Sequence, residues 1–296
     1  MPIPPTASPA ARVRAPLFVP ALDERKLDKA TTAAEAVIID LEDATADSRK
    51  VEARLWVRSL GDDVGRKRWV RVNSVDTGLC GDDIRAVAAA ASVIVLPKCE
   101  APAHVELALA AIEEVGASTL LIPIIETAAG IEAVSAIAKS GRGRMPRLSL
   151  GMGDLSRDME VAWDPASTLA EHARCRVAIA SRAAGLAKPI DSVIPRLDDP
   201  NMLSADVARG RAAGFGGKFC IHPNQLAAVA SGFRPTPAEL DLERRKVEAF
   251  VAALERGTAA VVLDGIFIDY PVAELAEARL AAEGEATGLL RPRAAS

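Results

Sequence analysis

Aromatic residues are scarce in this chain of 296 residues, where Phe, Trp and Tyr together make up 3%. Proteins that bind single-stranded nucleic acid stack bases on aromatic rings, and proteins that bind duplexes present a basic surface. The formal net charge of the chain is -4. Both requirements are therefore unmet, and we expect no nucleic-acid partner.

Cysteine and long apolar runs are also rare. The sequence contains no CxxC pair and no His-rich segment that would indicate a zinc site. No uninterrupted apolar stretch approaches the ~20 residues that cross a bilayer, so we expect no membrane segment. These absences favour a cytoplasmic protein with reduced thiols, at the four widely spaced positions Cys80, Cys99, Cys175 and Cys220.

The chain begins with a segment rich in proline and alanine, MPIPPTASPAARVR. Its arginines and its lack of acidic residues resemble an organellar presequence only weakly, because it is short and interrupted by proline. We predict that residues 1–12 are flexible.

What the sequence does contain is a regular alternation of β-branched runs and longer helical segments, which is typical of repeated βα units around a parallel sheet. Half of the residues are hydrophobic, which is enough for a large core. We predict eight strands, at APLFVPA, AVIIDLED, RWVRVN, SVIVLPK, TLLIPIIE, RLSLGMGD, PIDSVIP and GKFCIHP.

Helical spacing of apolar residues marks the segments between strands, such as ERKLDKATTAA, APAHVELALAAIEEVG and ASTLAEHARCRVAIASRAAG. No GxGxxG follows any strand, which disfavours an open dinucleotide-binding sheet. We therefore predict an α/β fold, a TIM (β/α)8 barrel over residues 13–235. A C-terminal helical extension, residues 236–296, follows it.

Polar side chains close most of the predicted strands. In a (β/α)8 barrel the carboxyl ends of the strands and the loops after them build the active site. The residues at these ends are Asp40, Glu42 and Asp43 (second strand), Arg71 and Asn73 (third), Lys98 (fourth), Glu126 (fifth), Asp154 (sixth) and His222 (eighth).

Acids that converge on one edge repel each other unless a cation lies among them, and carboxylate oxygens suit Mg²⁺ or Mn²⁺. Glu126 and Asp154 follow adjacent strands, and we predict that they hold this metal. Two protein carboxylates leave positions for water or substrate, as Lewis-acid catalysis requires. Arg71 then offers a planar cation to a substrate carboxylate or a developing oxyanion.

Each of these residues has a simpler interpretation. Glu126 or Asp154 alone could cap the helix after its strand. Lys98 could be a solvated charge, and His222, which precedes a proline, could hold a loop by hydrogen bonding. Because side chains alternate along a strand, at most two of the three acids of the second strand can face the site.

The strand-end motifs resemble those of the citrate lyase beta-subunit family, which includes malyl-CoA, citramalyl-CoA and citryl-CoA lyases. The resemblance runs in order along the chain. It is carried by Arg14 with LFVP, DLEDA at 40–44, RVN at 71–73, LPK at 96–98, IIET at 124–127, GMGDL at 151–155, IHPNQ at 221–225 and IDYPV at 268–272.

The resemblance implies a trimeric barrel enzyme with Mg²⁺ at Glu126 and Asp154. Arg71 then binds substrate and steadies an enolate oxygen, and Asp43 joins it in the catalytic set. Asp269 matches an acid/base that relatives deliver from a neighbouring subunit, although a cap before Pro271 is its simpler interpretation. Arg14 and Lys29 are then expected to bind substrate. Lys29 belongs with Arg25 and Lys26 to a basic cluster that matches the region where relatives meet CoA phosphates, although a solvated helix face is an equal alternative for this cluster.

The resemblance predicts a Mg²⁺-dependent carbon–carbon lyase that cleaves, or forms, a 3-hydroxyacyl-CoA thioester, with acetyl-CoA and a 2-keto acid as partners. A class II pyruvate aldolase is the nearest alternative, but those enzymes carry a histidine where this chain has Asp43. Hydrolysis of malyl-CoA and an accessory role in a citrate lyase complex also remain open. Ala21, Met152 and Gly153 depart from the common family pattern near the acyl group.

Overall fold

The computed structural model describes residues 8–61 and 67–290. The chain divides into two compact units, the first ending at Phe233 and the second beginning at Arg234.

The first unit contains eight parallel strands whose order in the sheet is their order in the chain. Each strand lies within one of the eight predicted segments, which confirms those predictions. The strands are β1 (Leu17–Pro20), β2 (Val37–Asp40), β3 (Arg68–Arg71), β4 (Val93–Leu96), β5 (Leu120–Ile125), β6 (Ser149–Leu150), β7 (Ile190–Asp191) and β8 (Gly217–Lys218).

The sheet curls, and the chain around β8 lies beside β1. The N–H of Phe18 donates to the carbonyl of Cys220 at 2.8 Å, and the N–H of Lys218 donates to the carbonyl of Arg14 at 2.8 Å. Leu17 and Cys220 form a parallel bridge. The eight-stranded sheet thus brings its first and last members together.

Helices surround this curled sheet, and three of them, α1, α4 and α7, coincide with the helical segments quoted above. The helices of the first unit are α1 (Glu24–Ala33), α2 (Lys50–Ser59), α3 (Cys80–Val87), α4 (Pro102–Glu114), α5 (Ala128–Lys139), α6 (Met152–Asp158), α7 (Thr168–Ala183), α8 (Pro200–Ala212) and α9 (Leu226–Gly232).

Alternation of side chains along the strands creates two apolar clusters. Ile38, Trp69 and Ile122 belong to the cluster inside the curled sheet. Val37, Ile39 and their counterparts on other strands belong to the cluster between the sheet and the helices. Burial on both faces explains why the strands read as continuous apolar runs rather than as an alternating pattern.

A buried group of four charges joins β7 and β8 to the helices that precede them, α7 and α8. Arg174 of α7 contacts Asp191 at 3.0 Å and Asp206 at 2.6 Å. Lys218 contacts Asp191 at 2.9 Å and Asp206 at 2.5 Å. Buried charges need partners of opposite sign, and here two cations meet two carboxylates.

The N-terminal segment is anchored by a buried arginine. Residues 1–7 of the segment that we predicted to be flexible lie outside the described residues. Pro9–Ala11 form a 3-10 turn with Ala10 buried. Arg147 donates to the carbonyl of Val13 at 2.7 Å. Burial, with the charge of Arg14, lowers the pKa of Arg147 to about 9.

The second unit packs a helical hairpin around a short β-ribbon. Its elements are α10 (Pro237–Glu255), β9 (Val261–Leu263), β10 (Ile266–Ile268) and α11 (Tyr270–Ala282). Thr236 and Glu239 form a capping box at the start of α10. Phe250 and Tyr270 meet edge to face with ring centroids 4.9 Å apart. The extension is therefore a small unit with its own core.

None of the helices within residues 8–61 and 67–290 combines the length and the apolar character that crossing a membrane requires.

We predict that Asp206→Asn lowers the free energy of unfolding by about 3–5 kcal/mol, because it leaves the cations of the buried group in excess without access to water. Urea unfolding of the full chain measures the change. Asp198→Asn is the control, since Asp198 pairs with Arg196 at 3.2 Å on the surface and should change stability by less than ~1 kcal/mol. A loss below ~1 kcal/mol for Asp206→Asn would contradict the prediction.

Candidate active site

A cavity of about 470 Å³ opens where the strands of the first unit end. Parallel strands place their carboxyl ends at one edge, so the polar residues at these ends are brought together. Among the residues that line the cavity are the charged side chains Asp40, Asp43, Arg71, Glu126 and Asp154 and the apolar side chains Phe18, Val19, Ile124, Leu150, Trp163, Val193 and Phe219.

Arg71 is the central cation of this cavity. Its Nε and Nη2 donate to the two carboxylate oxygens of Asp40 at 2.8 Å and 2.6 Å. Its Nη1 lies 3.0 Å from Glu42 and 3.2 Å from Asp43. The guanidinium also lies over the ring of Phe18, 4.9 Å from the centroid. These contacts fix the plane of the guanidinium at the cavity wall.

The three acids after β2 take different positions. Asp40 accepts the backbone N–H groups of Glu42 at 2.9 Å and of Ala44 at 3.0 Å, and so shapes the loop. Burial acts to raise the pKa of Asp40, but Arg71 outweighs it and holds the pKa below its ordinary value. Asp40 and Asp43 line the cavity, whereas Glu42 turns toward Lys98. All three reach Arg71 because the strand ends at Asp40 and alternation stops there.

Glu126 is buried at the end of β5 and does not cap the following helix. Thr127 does so instead, by accepting the N–H of Gly130 at 3.1 Å. One oxygen of Glu126 accepts the backbone N–H of Lys98 at 2.7 Å. Burial, followed by the charges of Asp154 and Glu42, raises the pKa of Glu126 to about 8.

Gly151 makes room for the other carboxylate oxygen of Glu126. A Cβ at this position would lie 2.2 Å from Glu126 Oε2, so no side chain fits there without displacing the carboxylate. The glycine of the GMGD motif therefore has a steric reason that sequence alone does not reveal. Because Gly151 has no side chain, the Glu126 carboxylate can lie against the start of α6 and still line the cavity.

Asp154 lies in the first turn of α6, beside Glu126. Arg157 contacts its Oδ1 at 2.6 Å, and Lys98 Nζ lies 3.6 Å from the same oxygen. The start of α6 is positioned by Ser192, whose Oγ accepts the N–H of Met152 at 2.8 Å. The predicted pair from adjacent strands, Glu126 and Asp154, thus lines one cavity.

This donor set fits a hard divalent cation. Glu126 and Asp154 supply only oxygen atoms, and their mutual repulsion is one cause of the raised pKa of Glu126. Across residues 8–61 and 67–290, no group of three or more His, Cys, Asp and Glu side chains is arranged to hold a metal. A cation here would therefore have two protein carboxylates and open positions for water or substrate.

Lys98 is the residue that sequence reasoning underestimated. We weighed it as a solvated charge, but its ammonium group hydrogen-bonds to Glu42 and lies near Asp154. Its backbone has a φ of +48°, in the left-handed region that non-glycine residues seldom adopt. Its position two residues after an apolar strand was the available signal.

Met152 and Gly153, which depart from the family pattern, occupy different environments. Met152 is buried in the cluster between sheet and helices. Gly153 lines the cavity, and a Cβ there would lie 3.2 Å from Trp163 Cζ3. The indole of Trp163 therefore fills the space that a side chain at position 153 would use.

The cavity lining does not include three residues that the resemblance assigns to the site, Arg14, Lys29 and Asp269. Arg14 precedes β1, at the amino-terminal ends of the strands and so opposite the cavity. Its backbone N–H donates to Glu35 at 2.6 Å. Lys29 is exposed on α1. Asp269 belongs to the second unit, where its carboxylate accepts the N–H of Val272 at 3.3 Å and caps α11.

His222 holds a loop, as its simpler interpretation predicted. Its Nδ1 accepts the N–H of Asn224 at 3.2 Å, within a capping box that includes Gln225.

Comparison with known sequences supports the resemblance. A family model described as HpcH/HpaI aldolase/citrate lyase matches residues 14–223. A (3S)-malyl-CoA thioesterase of Cereibacter sphaeroides is 34% identical over 261 residues, which cover 86% of this chain and 89% of that protein. The human mitochondrial citramalyl-CoA lyase is 31% identical over 287 residues, which cover 89% of this chain and 83% of that protein.

Solved structures show the same architecture. The crystal structure of the protein CitE from Mycobacterium tuberculosis, in complex with magnesium, acetoacetate and coenzyme A, has a TM-score of 0.77 to this chain and 29% sequence identity. The match covers 93% of this chain and all (100%) of that one. The chain therefore belongs to the HpcH/HpaI aldolase/citrate lyase family.

Proposed function

We propose that this chain is a Mg²⁺-dependent carbon–carbon lyase. Its substrate would be a 3-hydroxyacyl-CoA thioester such as malyl-CoA, citramalyl-CoA or citryl-CoA, and its products acetyl-CoA or a homologue and a 2-keto acid. The reverse condensation uses the same site. The observation that carries the proposal is the placement of Glu126 and Asp154 in one cavity beside Arg71.

Glu126 and Asp154 would hold the metal, and Mn²⁺ could replace Mg²⁺. When bound, the metal supplies Lewis-acid polarisation of the oxygen that becomes the carbonyl of the keto acid. Magnesium in the related CitE complex supports this assignment. It also agrees with the two-carboxylate donor set, which leaves room for substrate oxygens.

Arg71 would bind the substrate carboxylate or the enolate oxygen. Its contacts with Asp40 and Glu42 are buried, whereas the side chain of Asp43 is 58% exposed. Asp43 is therefore the partner that a substrate can displace at least cost. Because Asp43 lines the cavity next to Arg71, it is also placed to accept the hydroxyl proton in the cleavage direction.

Asp269 would complete the site from a neighbouring subunit of a homotrimer and protonate the thioester enolate.

The proposal includes a closed (β/α)8 barrel, which the hydrogen bonds between the Cys220 segment and β1 support. Lys29 would meet the CoA phosphates, since it is exposed on the helix that follows β1. The proposed substrate site does not include Arg14, because this residue lies at the amino-terminal ends of the strands, opposite the cavity.

Two other reactions have specific support. Hydrolysis of the thioester is suggested by the relative named malyl-CoA thioesterase. An aldolase that joins pyruvate to an aldehyde is suggested by the name of the family model. The cavity has an apolar wall that includes Phe18, Trp163 and Phe219. This wall suits a substrate larger than pyruvate or a short aldehyde, and so favours an acyl-CoA over the aldolase substrates.

The test is to follow acetyl-CoA and free CoA released from malyl-CoA, citramalyl-CoA and citryl-CoA, with and without Mg²⁺. We predict metal-dependent release of acetyl-CoA and a keto acid from at least one thioester. Glu126→Gln should lower kcat/KM by at least ~100-fold, because a metal ligand is lost. Asp269→Asn should lower kcat by ~10²–10⁴-fold, because the acid/base is lost.

Asp198→Asn, on the surface, is the matched control and should retain full activity. Release of free CoA without acetyl-CoA would replace the lyase by a thioesterase. Condensation of pyruvate with a short aldehyde, without cleavage of any thioester, would establish the aldolase instead.

The raised pKa of Glu126 predicts a pH dependence of stability. The ordinary pKa of this group is 4.5, and its folded value is about 8. Between these values the metal-free folded state binds more protons than the unfolded state, so the free energy of unfolding contributed by Glu126 falls as pH rises. Urea unfolding with EDTA at pH 5–8 should therefore show a steeper fall for the native chain than for Glu126→Gln.

Saturating Mg²⁺ should remove this difference, because the metal replaces the proton on Glu126. Glu132→Gln, an exposed substitution on α5, should keep the native slope. Identical pH profiles for the native chain and Glu126→Gln in EDTA would show that Glu126 ionises normally.

A further inference from the structure

The acid cluster already contains a cation of its own in Lys98. The ammonium group hydrogen-bonds to Glu42 and lies 3.6 Å from Asp154 Oδ1. It is thus located between a carboxylate of the Arg71 group and one of the two proposed metal ligands. We propose that Lys98 competes electrostatically with the divalent cation and sets the affinity of the site for it. This inference rests on the metal site of the proposed function.

Lys98 is a positioning residue rather than a group that contacts substrate. Neither Lys98 nor Glu42 is part of the cavity lining, whereas Asp40, Asp43 and Asp154 are. The side chain of Lys98 is 19% exposed and that of Glu42 is 7% exposed. Its charge therefore acts through the carboxylates, from behind the cavity wall.

The backbone conformation of Lys98 indicates that surrounding contacts hold this residue in place. Its φ of +48° is uncommon for a residue with a side chain, and such strain persists only where surrounding contacts maintain it. The contacts are the N–H of Lys98 to Glu126 at 2.7 Å and the ammonium to Glu42. One residue thus contacts Glu126 through its main chain and approaches Asp154 through its side chain.

These two contacts have opposite consequences for a metal. The N–H orients the Glu126 carboxylate and remains after any side-chain substitution that preserves the backbone. The ammonium repels a cation bonded to Asp154, and this repulsion is weakly screened because the group is mostly buried. Removing the ammonium while keeping the backbone should therefore tighten metal binding.

Arg157 provides an internal comparison on the same oxygen. It contacts Asp154 Oδ1 at 2.6 Å, closer than Lys98, but its side chain is 71% exposed. Exposed pairs are screened by solvent and contribute little. Burial, and not distance, should therefore decide which of the two cations weakens metal binding.

The experiment is titration of the EDTA-treated full chain with Mn²⁺, followed by calorimetry and by the Mn²⁺ electron paramagnetic resonance signal. We expect Lys98→Met and Lys98→Gln to bind Mn²⁺ at least ~10-fold more tightly than the native chain. Lys98→Arg, which keeps the charge, should stay within ~3-fold. Arg157→Met should also stay within ~3-fold, and exposed Lys139→Met should be unchanged.

Lys98→Gln keeps a hydrogen-bond donor toward Glu42, so it serves if Lys98→Met does not fold. Unchanged or weaker Mn²⁺ binding by the neutral variants would overturn the inference. A native chain that binds no Mn²⁺ would remove both this inference and the proposed metal site. A native chain that binds Mn²⁺ but cleaves no thioester would overturn the proposed function alone, since the comparison of Lys98 variants would still decide this point.

Discussion

Repulsion among carboxylates at the ends of parallel strands is the constraint on which this site depends. Asp40, Asp43, Glu126 and Asp154 line one cavity, and the fold holds them there through Arg71 and the backbone N–H of Lys98. Glu126 remains the least compensated of them, with a pKa raised to about 8 by burial and neighbouring acids. Carboxylates arranged in this way attract a cation, and in the proposed function that cation is Mg²⁺.

The rest of the first unit positions the two carboxylates that matter most. The strands β6, β7 and β8 are short, so few ladder hydrogen bonds hold them. The buried charges of Arg174, Asp191, Asp206 and Lys218 join β7 and β8 to α7 and α8. Asp191 precedes Ser192, which accepts the N–H at the start of α6, the helix that carries Asp154. The polar network thus leads from the core to the site.

Much of this could be predicted from periodicity and from the ends of apolar runs, which located the strands and the pair Glu126 and Asp154. Long-range partners could not, because a sequence does not state what a side chain meets. Lys98 therefore passed for a solvated charge, although it lies among acids. Motif resemblance also does not show which end of the strands a residue occupies, and Arg14 precedes β1, at the end opposite the cavity. The roles of Gly151 and Trp163 followed only from the structure, through the short distances from a Cβ at position 151 to Glu126 and from a Cβ at position 153 to Trp163.

The most direct test of this account is anomalous diffraction from crystals of the chain grown with Mn²⁺, measured near the manganese absorption edge. The account predicts a single strong anomalous peak in the cavity, within bonding distance of carboxylate oxygens of both Glu126 and Asp154. No peak at these residues in crystals that contain Mn²⁺ at millimolar concentration would contradict it. The acid cluster would then be a structural feature compensated by Arg71 and Lys98 alone.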